Sequence, residues 1–188
     1  IPAVLLFNKI DVLSAEDQEK LTEFQTRYEK IGYQTLAISA EDAQYQDQVK
    51  ELLRDKTSFV VGRSGAGKST AINLAEPELN LKVGNISDFS GRGRHTTTYA
   101  ELFTLSFGGS IIDSPGFKEM VIFDFEKADL SHYFPEMREH MYDCRFSNCI
   151  HINEPGCAVK AAVESGEIAE SRYNTYKSML AEIEAPGW

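Results

Sequence analysis

The sequence predicts an α/β fold, in which helices flank a mostly parallel sheet, with a small helical subdomain after it. Three observations predict this fold. Short apolar runs alternate with segments of helical periodicity through the first part of the chain. Each of these runs leads into a polar or glycine-rich segment, which is typical of strands that end at a ligand-binding edge. All three cysteines fall between residues 144 and 157, after the last predicted strand. We therefore place a domain boundary between 1–125 and 126–188.

The elements follow from periodicity and capping signals. Apolar runs predict strands at 4–7, 35–38, 58–61, 99–107 and 110–112. Helical spacing predicts helices from Ser14 to Gly32, around 49–53, over 70–74, over 126–142 with a break at Pro135, and over 173–183. Ser14 is the expected N-cap of the first helix and Gly32 its terminator. Gly108 and Gly109 predict a turn between the last two strands.

Composition excludes several classes of protein. The net charge of −10, from 19 basic and 29 acidic residues, argues against nucleic-acid binding over the whole surface. It leaves room for a local basic patch around Arg92, Arg94 and His95. No apolar run is long enough to span a bilayer and the start lacks a secretion signal, so we expect a cytoplasmic monomer without membrane contact. Because a core strand seldom begins a chain, we also expect an N-terminal portion to be absent before Ile1.

A phosphate-binding loop is predicted where the third strand ends. The segment from Gly62 to Ser69 fits the pattern G-x-x-x-x-G-K-S between a strand and a helix, a context that disfavours a chance glycine-rich turn. Its backbone N–H groups would surround phosphates, Lys68 would contact the β- and γ-phosphates, and the Ser69 hydroxyl would bind Mg²⁺. The residues expected at the nucleotide are Gly62, Arg63, Ser64, Gly65, Ala66, Gly67, Lys68, Ser69 and Thr70.

A second phosphate-side motif follows the last strand. Asp113-Ser-Pro-Gly116 is an ordinary turn sequence when it stands alone. Downstream of a phosphate loop, Asp113 can hold Mg²⁺ through water and the Gly116 amide can contact the γ-phosphate.

A guanine-reading loop is predicted at the end of the first strand. Asn8-Lys9-Ile10-Asp11 is N-K-x-D, and the Asp11 carboxylate can accept hydrogen bonds from guanine N1–H and N2, which adenine cannot offer. This disfavours an ATP-using kinase. Asn8 can contact the other edge of the base or tie this loop to the phosphate loop, and Lys9 can cover the purine ring. After the second strand come Ser39 and Ala40, whose Ala40 amide could bond guanine O6, although a plain strand exit would look the same.

The C-terminal cluster has the composition of a zinc site. Cys144, Cys149, His151 and Cys157 supply three thiolates and one imidazole, a complete tetrahedral shell without an open position. We therefore expect one structural Zn²⁺ rather than a catalytic one. The alternative is three reduced cysteines beside an uninvolved histidine.

The base-reading loop precedes the phosphate loop in this sequence, which is the reverse of their order in ordinary small G proteins. In this order, and with Gly93-Arg-His-Thr-Thr-Thr98 and Asp113-Ser-Pro-Gly-Phe117 between them and the cysteines, the sequence resembles the RsgA/YjeQ family of circularly permuted GTPases. The resemblance covers nearly the whole chain and departs at Ala66, where the family usually has Val. It implies a circularly permuted P-loop GTPase domain with a C-terminal helical zinc-binding subdomain. Family members usually also carry an N-terminal RNA-binding OB-fold, which nothing here resembles.

The resemblance also implies an activity. It implies GTP/GDP as ligand, the small ribosomal subunit and its rRNA as partners, and GTP hydrolysis that the ribosome stimulates. Phe117 occupies the place of the Ras-like glutamine, so the resemblance assigns the orientation of water to His95, with rRNA contact as the alternative role. Thr97 is the first choice for the Mg²⁺ and γ-phosphate contact and Thr96 the second. A GTP-dependent rRNA-binding switch with little catalysis is the alternative function.

Overall fold

The computed structural model describes residues 2–81, 101–113 and 126–184. Internal contacts divide the chain into two compact units. Unit 1 consists of Ile1–Gln25 and Gln34–Met120, and unit 2 consists of Thr26–Tyr33 and Val121–Trp188. Among the helices of the described ranges, none has both the length and the apolar character that a membrane span requires.

Unit 1 contains the strands. They are β1 Val4–Asn8, β2 Gln34–Ile38, β3 Thr57–Phe59, β4 Glu101–Thr104 and β5 Ser110–Asp113. β1 pairs with β2 in parallel, with Asn8 opposite Ile38, so both strands end together. β3 pairs in parallel with β5, and β4 pairs antiparallel with the other edge of β5. Two of these three pairings are parallel, which confirms the predicted sheet type.

The helices of unit 1 follow the strands closely. They are α1 Ala15–Lys30, which runs on into unit 2, α2 Gln46–Leu53 and α3 Lys68–Ala75, with single 3-10 turns at Ile10–Val12, Ala43–Tyr45 and Pro77–Leu79. Ser14 caps α1 as predicted, because its Oγ accepts from the Asp17 amide at 3.2 Å and donates to the Asp17 carboxylate at 2.7 Å. The C-terminus also agrees, since Gly32 has φ of 92° and the Tyr33 amide bonds the Tyr28 carbonyl at 3.0 Å.

Several boundaries in unit 1 differ from the sequence prediction. β4 ends at Thr104 instead of continuing to residue 107, and two further differences flank the loop between β3 and α3. β3 ends at Phe59 instead of continuing to Val61, whose side chain is 51% exposed. α3 begins at Lys68 instead of Thr70, so Lys68 and Ser69 lie in its first turn. The shift of β3 lengthens the loop between β3 and α3 and the shift of α3 shortens it, so the loop lies two residues earlier than predicted, and the glycines at 65 and 67 turn its backbone with φ of 76° and 89°.

The core of unit 1 lies among β2, α2, α3 and β5. Its buried members are Ile38, Ala40, Val49, Leu53, Ala71, Ile72, Ala75, Leu81, Leu105 and Ile111. Glu76 is buried beside this core at 5% exposure, and its Oε2 accepts from the Ser106 amide at 2.6 Å. Hydrogen bonds from the Ser106 side chain and amide lower the pKa of Glu76. The carboxylate thereby connects the end of α3 to the segment that follows β4.

Unit 2 is helical, and the break predicted at Pro135 within 126–142 is confirmed, but the helices expected on either side of it are reduced to short turns. The structure has two 3-10 turns, Leu130–Tyr133 and Met141–Asp143, and one helical turn, α4 Pro135–Arg138. The residue before a proline avoids helical angles, and Phe134 is extended at φ −103° and ψ 103°. α5 Ala158–Glu164 was not predicted, because its seven residues are too few to show a period. α6 Glu170–Glu184 agrees with the predicted last helix.

A buried ion pair joins α4 to α6. The Arg172 Nε donates to Glu136 Oε1 at 2.6 Å, and Glu136 is 5% exposed. The Arg172 guanidinium also lies over the rings of Phe134 and Tyr28, at 4.8 and 5.4 Å from their centroids. Tyr28 belongs to the end of α1, which explains why that segment groups with unit 2. The buried residues of this unit are Leu130, Phe134, Met137, Cys157, Val159, Ala162, Ile168, Tyr176 and Leu180.

We expect Glu76→Gln to destabilise unit 1 in a pH-dependent way. Because the folded pKa of Glu76 lies below its ordinary value of 4.5, its contribution is fully present above that pH and is lost as the pH falls through the folded pKa. Urea unfolding should show a loss of about 1.5–3 kcal/mol at pH 7 that shrinks below pH 4.5. Glu78→Gln, at an exposed position in the next turn, is the control and should change little. A loss of unfolding free energy that is as large below pH 4.5 as at pH 7 would contradict a contribution from the ionised Glu76 carboxylate.

Candidate nucleotide and metal sites

Asn8 joins three segments of unit 1. Its Oδ1 accepts from the Ala40 amide at 2.9 Å and from the Lys9 amide at 2.8 Å, and its Nδ2 donates to the Ala66 carbonyl at 3.0 Å. The side chain therefore bonds the end of β1, the residue that follows Ser39 after β2, and the loop between β3 and α3. Of the two roles that the sequence left open for Asn8, the structure adopts the tie to the phosphate loop.

Lys9 adds a second connection to the same loop. Its Nζ donates to the Gly65 carbonyl at 2.7 Å, and its backbone is left-handed at φ 71°. Asp11 follows in the 3-10 turn Ile10–Val12 and is exposed. The loop that carries N-K-x-D thus lies against the glycine-rich loop, although 56 residues separate Lys9 from Gly65.

Residues 62–66 of the glycine-rich loop are exposed to solvent, and the following residues 67–69 are partly or fully buried. Lys68 Nζ donates to the carbonyls of Gly62 and Arg63 at 2.6 and 2.9 Å, so the side chain folds back across the loop. Ser69 is buried at 5% exposure in the first turn of α3. A Cβ at Gly67 would collide with Asn8 Nδ2, so this position needs glycine for space as well as for its positive φ.

The hydrogen-bond partner of the Ala40 amide differs from the sequence expectation. Ser39 and Ala40 are buried at 3% and 7% exposure directly after β2. The Ala40 amide, which we expected at guanine O6, donates to Asn8 Oδ1 in this structure. A contact to a base would therefore share or replace that hydrogen bond.

Several predicted residues lie outside the described ranges. They are Arg92, Arg94, His95, Thr96, Thr97, Gly116 and Phe117. Asp113 is described only through its backbone, as the last residue of β5. The roles of these residues stay predictions.

The predicted metal ligands come together in unit 2. Cys144, Cys149, His151 and Cys157 place one ligand atom each within 4.8 Å of one another. His151 Nδ1 lies 3.6 Å from Cys144 Sγ and 3.4 Å from Cys157 Sγ, and the two sulfurs are 3.9 Å apart. Tetrahedral zinc with thiolate and imidazole ligands requires about 3.8 Å between sulfurs and about 3.5 Å between sulfur and nitrogen. The cluster therefore fits a zinc ion.

In the metal-free cluster the imidazole has the protonation state that a metal needs, whereas burial favours the protonated form of the thiols of Cys149 and Cys157. Burial lowers the pKa of His151, which keeps its ring neutral and able to bind metal through Nδ1. Its Nε2 is buried without a hydrogen-bond partner among the described residues. Burial raises the pKa of Cys157, while an amide hydrogen bond from Lys160 at 3.4 Å acts in the opposite direction. An amide that donates to sulfur favours the thiolate form that a metal needs.

Three residues around this cluster were missed by the sequence analysis. Glu154 accepts amide hydrogen bonds within the turn that carries His151, and the hydroxyls of Tyr173 and Tyr176 donate to the carbonyls of His151 and Ile150 at 2.6 and 2.7 Å. Tyr173 and Tyr176 were recognised only as apolar positions of α6. Their polar ends, three residues apart on a helix near a metal loop, were the available signal.

We expect Asn8→Asp to destabilise unit 1. The carboxylate keeps an acceptor oxygen for the amides of Lys9 and Ala40, but its second oxygen cannot donate to the Ala66 carbonyl and would repel it at 3.0 Å. Urea unfolding without nucleotide should show a loss of about 1–3 kcal/mol. Asp11→Asn is the reverse isosteric change at an exposed position of the same loop and should leave the free energy of unfolding unchanged. An Asn8→Asp variant as stable as the parent would show that this tie contributes nothing.

Comparison with known proteins places this geometry in a family. The sequence model of the RsgA GTPase family matches residues 1–123. The small ribosomal subunit biogenesis GTPase RsgA of Christiangramia forsetii is 46% identical over 96% of this chain and 57% of its own length. The protein of the same name from Flavobacterium johnsoniae is 47% identical over 96% of this chain and 55% of its own. The chain thus spans little more than half the length of these relatives.

Solved structures show the same fold. YjeQ from Thermotoga maritima matches with a TM-score of 0.82 and 37% identity, over 99% of this chain and 61% of that one. YloQ, described as a circularly permuted GTPase, matches with a TM-score of 0.77 and 29% identity, over 98% of this chain and 58% of that one. The predicted α/β fold with its permuted order is confirmed. From its match over 123 residues and the fold it shares with these structures, the chain belongs to the RsgA GTPase family.

Proposed function

We propose that this chain binds and hydrolyses GTP as part of a cytoplasmic, monomeric factor that acts in late maturation of the small ribosomal subunit. One observation carries the nucleotide part of the proposal. The N-K-x-D loop contacts the glycine-rich loop through Asn8 to Ala66 and Lys9 to Gly65, so a single nucleotide could contact both recognition elements despite their reversed order. Family membership and the names of the relatives support the ribosomal part.

The phosphate side of the site is built from the loop and the first turn of α3. Backbone amides of residues 62–70 would surround the phosphates, aided by the helix N-terminus. Lys68 would exchange its two carbonyl contacts for the β- and γ-phosphate oxygens, since an anion attracts an ammonium group more strongly than a carbonyl does. Ser69, Thr97 and Asp113 would hold Mg²⁺, which supplies positive charge to the β,γ-bridge.

The base side would be read by Asp11. Its exposed carboxylate is free to accept from guanine N1–H and N2, while the Lys9 stem covers the ring. Ser39 and Ala40 would line the O6 edge, with the Ala40 amide shared between the base and Asn8.

Hydrolysis needs a group that orients water, and we propose His95 for this role with Thr97 beside the γ-phosphate. An imidazole can accept from a water molecule near neutral pH, which the phenyl ring of Phe117 cannot do. Contact of His95 with rRNA, next to Arg92 and Arg94, is the competing role. The two roles predict different effects on turnover and on ribosome binding.

The metal cluster has a structural role in the same proposal. Zn²⁺ held by Cys144, Cys149, His151 and Cys157 would have no open position, so it would stabilise unit 2 and supply no reaction step. We propose a GTPase domain over 1–125 and a zinc-binding subdomain over 126–188. The separation of the two compact units between residues 120 and 121 supports a boundary in this region.

Asp11→Asn tests the base-reading role. The amide presents a donor where guanine also presents donors, so GTP affinity should fall about 100-fold or more. Xanthosine triphosphate, which has a carbonyl at position 2, should bind the variant better than the parent. Calorimetric titration of the parent and the variant with each nucleotide measures the change in nucleotide preference. Asp17→Asn is the matched surface control. Equal loss of both nucleotides, or no loss of GTP, would refute the assignment of Asp11.

His95→Ala tests catalysis against rRNA contact. GTP turnover is measured with and without purified small subunits, and subunit binding is measured with a non-hydrolysable GTP analogue. We expect unchanged GTP affinity and subunit binding with at least about tenfold slower stimulated turnover, because general acid–base groups contribute about 10²–10⁴-fold. Arg92→Ala, in the same proposed rRNA-contacting segment, is the comparison variant and should weaken subunit binding without slowing GTP turnover on bound subunits. Lost subunit binding with normal turnover would assign His95 to rRNA and favour the binding-switch function.

A further inference from the structure

The turn that carries His151 is arranged around the carboxylate of Glu154. Glu154 Oε1 accepts from the Ile150 amide at 2.9 Å. Its Oε2 accepts from the amides of Ile152 and Asn153 at 2.9 and 3.0 Å. One side chain thereby binds three backbone N–H groups within four consecutive residues.

This turn needs support because its central residue is strained. His151 has φ of 61°, in the left-handed region that is unfavourable for a residue with a Cβ. Glycine would relieve the strain, but the imidazole at this position is one of the four clustered ligands. The conformation therefore has to be maintained by neighbouring groups.

The neighbours act on both sides of the turn. The Glu154 carboxylate binds its N–H groups, and the hydroxyls of Tyr173 and Tyr176 bind the carbonyls of His151 and Ile150. Burial alone would raise the pKa of Glu154, but the amide hydrogen bonds outweigh it and lower the pKa. Its negative charge would not balance a site with three thiolates, so the carboxylate acts through the amides that it orients.

We propose that Glu154 is a positioning residue that holds the turn from Cys149 to Asn153 in its metal-binding shape before the metal arrives, and thereby sets the affinity for Zn²⁺. This inference rests on the proposed zinc site. It adds a residue outside the ligand set that would be required for tight binding, because a pre-shaped turn has less conformational entropy to lose when the ion binds.

The test is competition for Zn²⁺ between the reduced 188-residue chain and a chromogenic chelator. Glu154→Gln replaces one acceptor oxygen with an NH₂ group that cannot accept from an amide, so at least one of the three hydrogen bonds is lost. Zinc affinity should fall about 10- to 100-fold, as for outer-shell partners of other zinc sites. Glu164→Gln removes the same charge from an exposed position at the end of α5 and should leave the affinity unchanged.

Co²⁺ absorption separates positioning from general damage. A variant whose filled site shows the parent's tetrahedral spectrum at one Co²⁺ per chain, but with weaker binding, supports the proposal. Glu154→Asp keeps the charge with a shorter reach and should also bind more weakly. Parental affinity in Glu154→Gln would overturn the inference alone, whereas a parent chain that binds no Zn²⁺ would overturn the proposed zinc site itself.

Hydrogen exchange of the parent chain provides a measurement that needs no variant. In the metal-free reduced protein, the amides of Ile150, Ile152 and Asn153 should exchange at least about tenfold more slowly than unstructured amides, because the carboxylate already binds them. Exchange at the unstructured rate would show that the turn forms only with the metal and would overturn the proposal.

Discussion

The proposed nucleotide site depends on the side chain of Asn8, because this group connects three segments distant in sequence. A primary amide is suited to this position, since one oxygen accepts from the amides of Lys9 and Ala40 while the nitrogen donates to the Ala66 carbonyl. Neither a carboxylate nor a hydroxyl offers the same pattern in the same volume. The space that Asn8 occupies also explains why Gly67 has no room for a side chain.

Those parts of the fold and the site that depend on local patterns could be predicted from the sequence. The strands β1 and β2, the capped helix α1, the order of the loops and the four clustered ligands in unit 2 all follow from short motifs. The failures arise where a distant contact or a single residue decides. Residues 126–142 form only short turns on either side of the predicted break at Pro135, and α5 is too short to show a helical period. The partner of the Ala40 amide could not be read from the sequence, since it depends on how Asn8 is oriented.

The two proposed ligand sites use the backbone in opposite ways. In unit 1, the glycines at 65 and 67 let the loop adopt positive φ at little cost, and its residues 62–66 are exposed to solvent. In unit 2, a histidine adopts positive φ at a cost, and Glu154, Tyr173 and Tyr176 occupy the polar groups of its turn. An open loop suits a ligand that exchanges, and a saturated turn suits an ion that stays bound.

The reversed order of the loops also has a consequence for how the chain folds as it leaves the translating ribosome. Asn8, Ala40 and Ala66 all lie in the first part of the sequence, and Asn8 and Ala66 are separated by 58 residues. β5, the strand to which β3 pairs, emerges more than 40 residues after Ala66. The groups proposed to bind the base and the phosphates can thus come together before β5 has been synthesised and paired with β3. The proposed nucleotide-binding loops would therefore be synthesised before the strand that completes the sheet beside them. Guanine nucleotide bound at this stage would stabilise the partly folded chain.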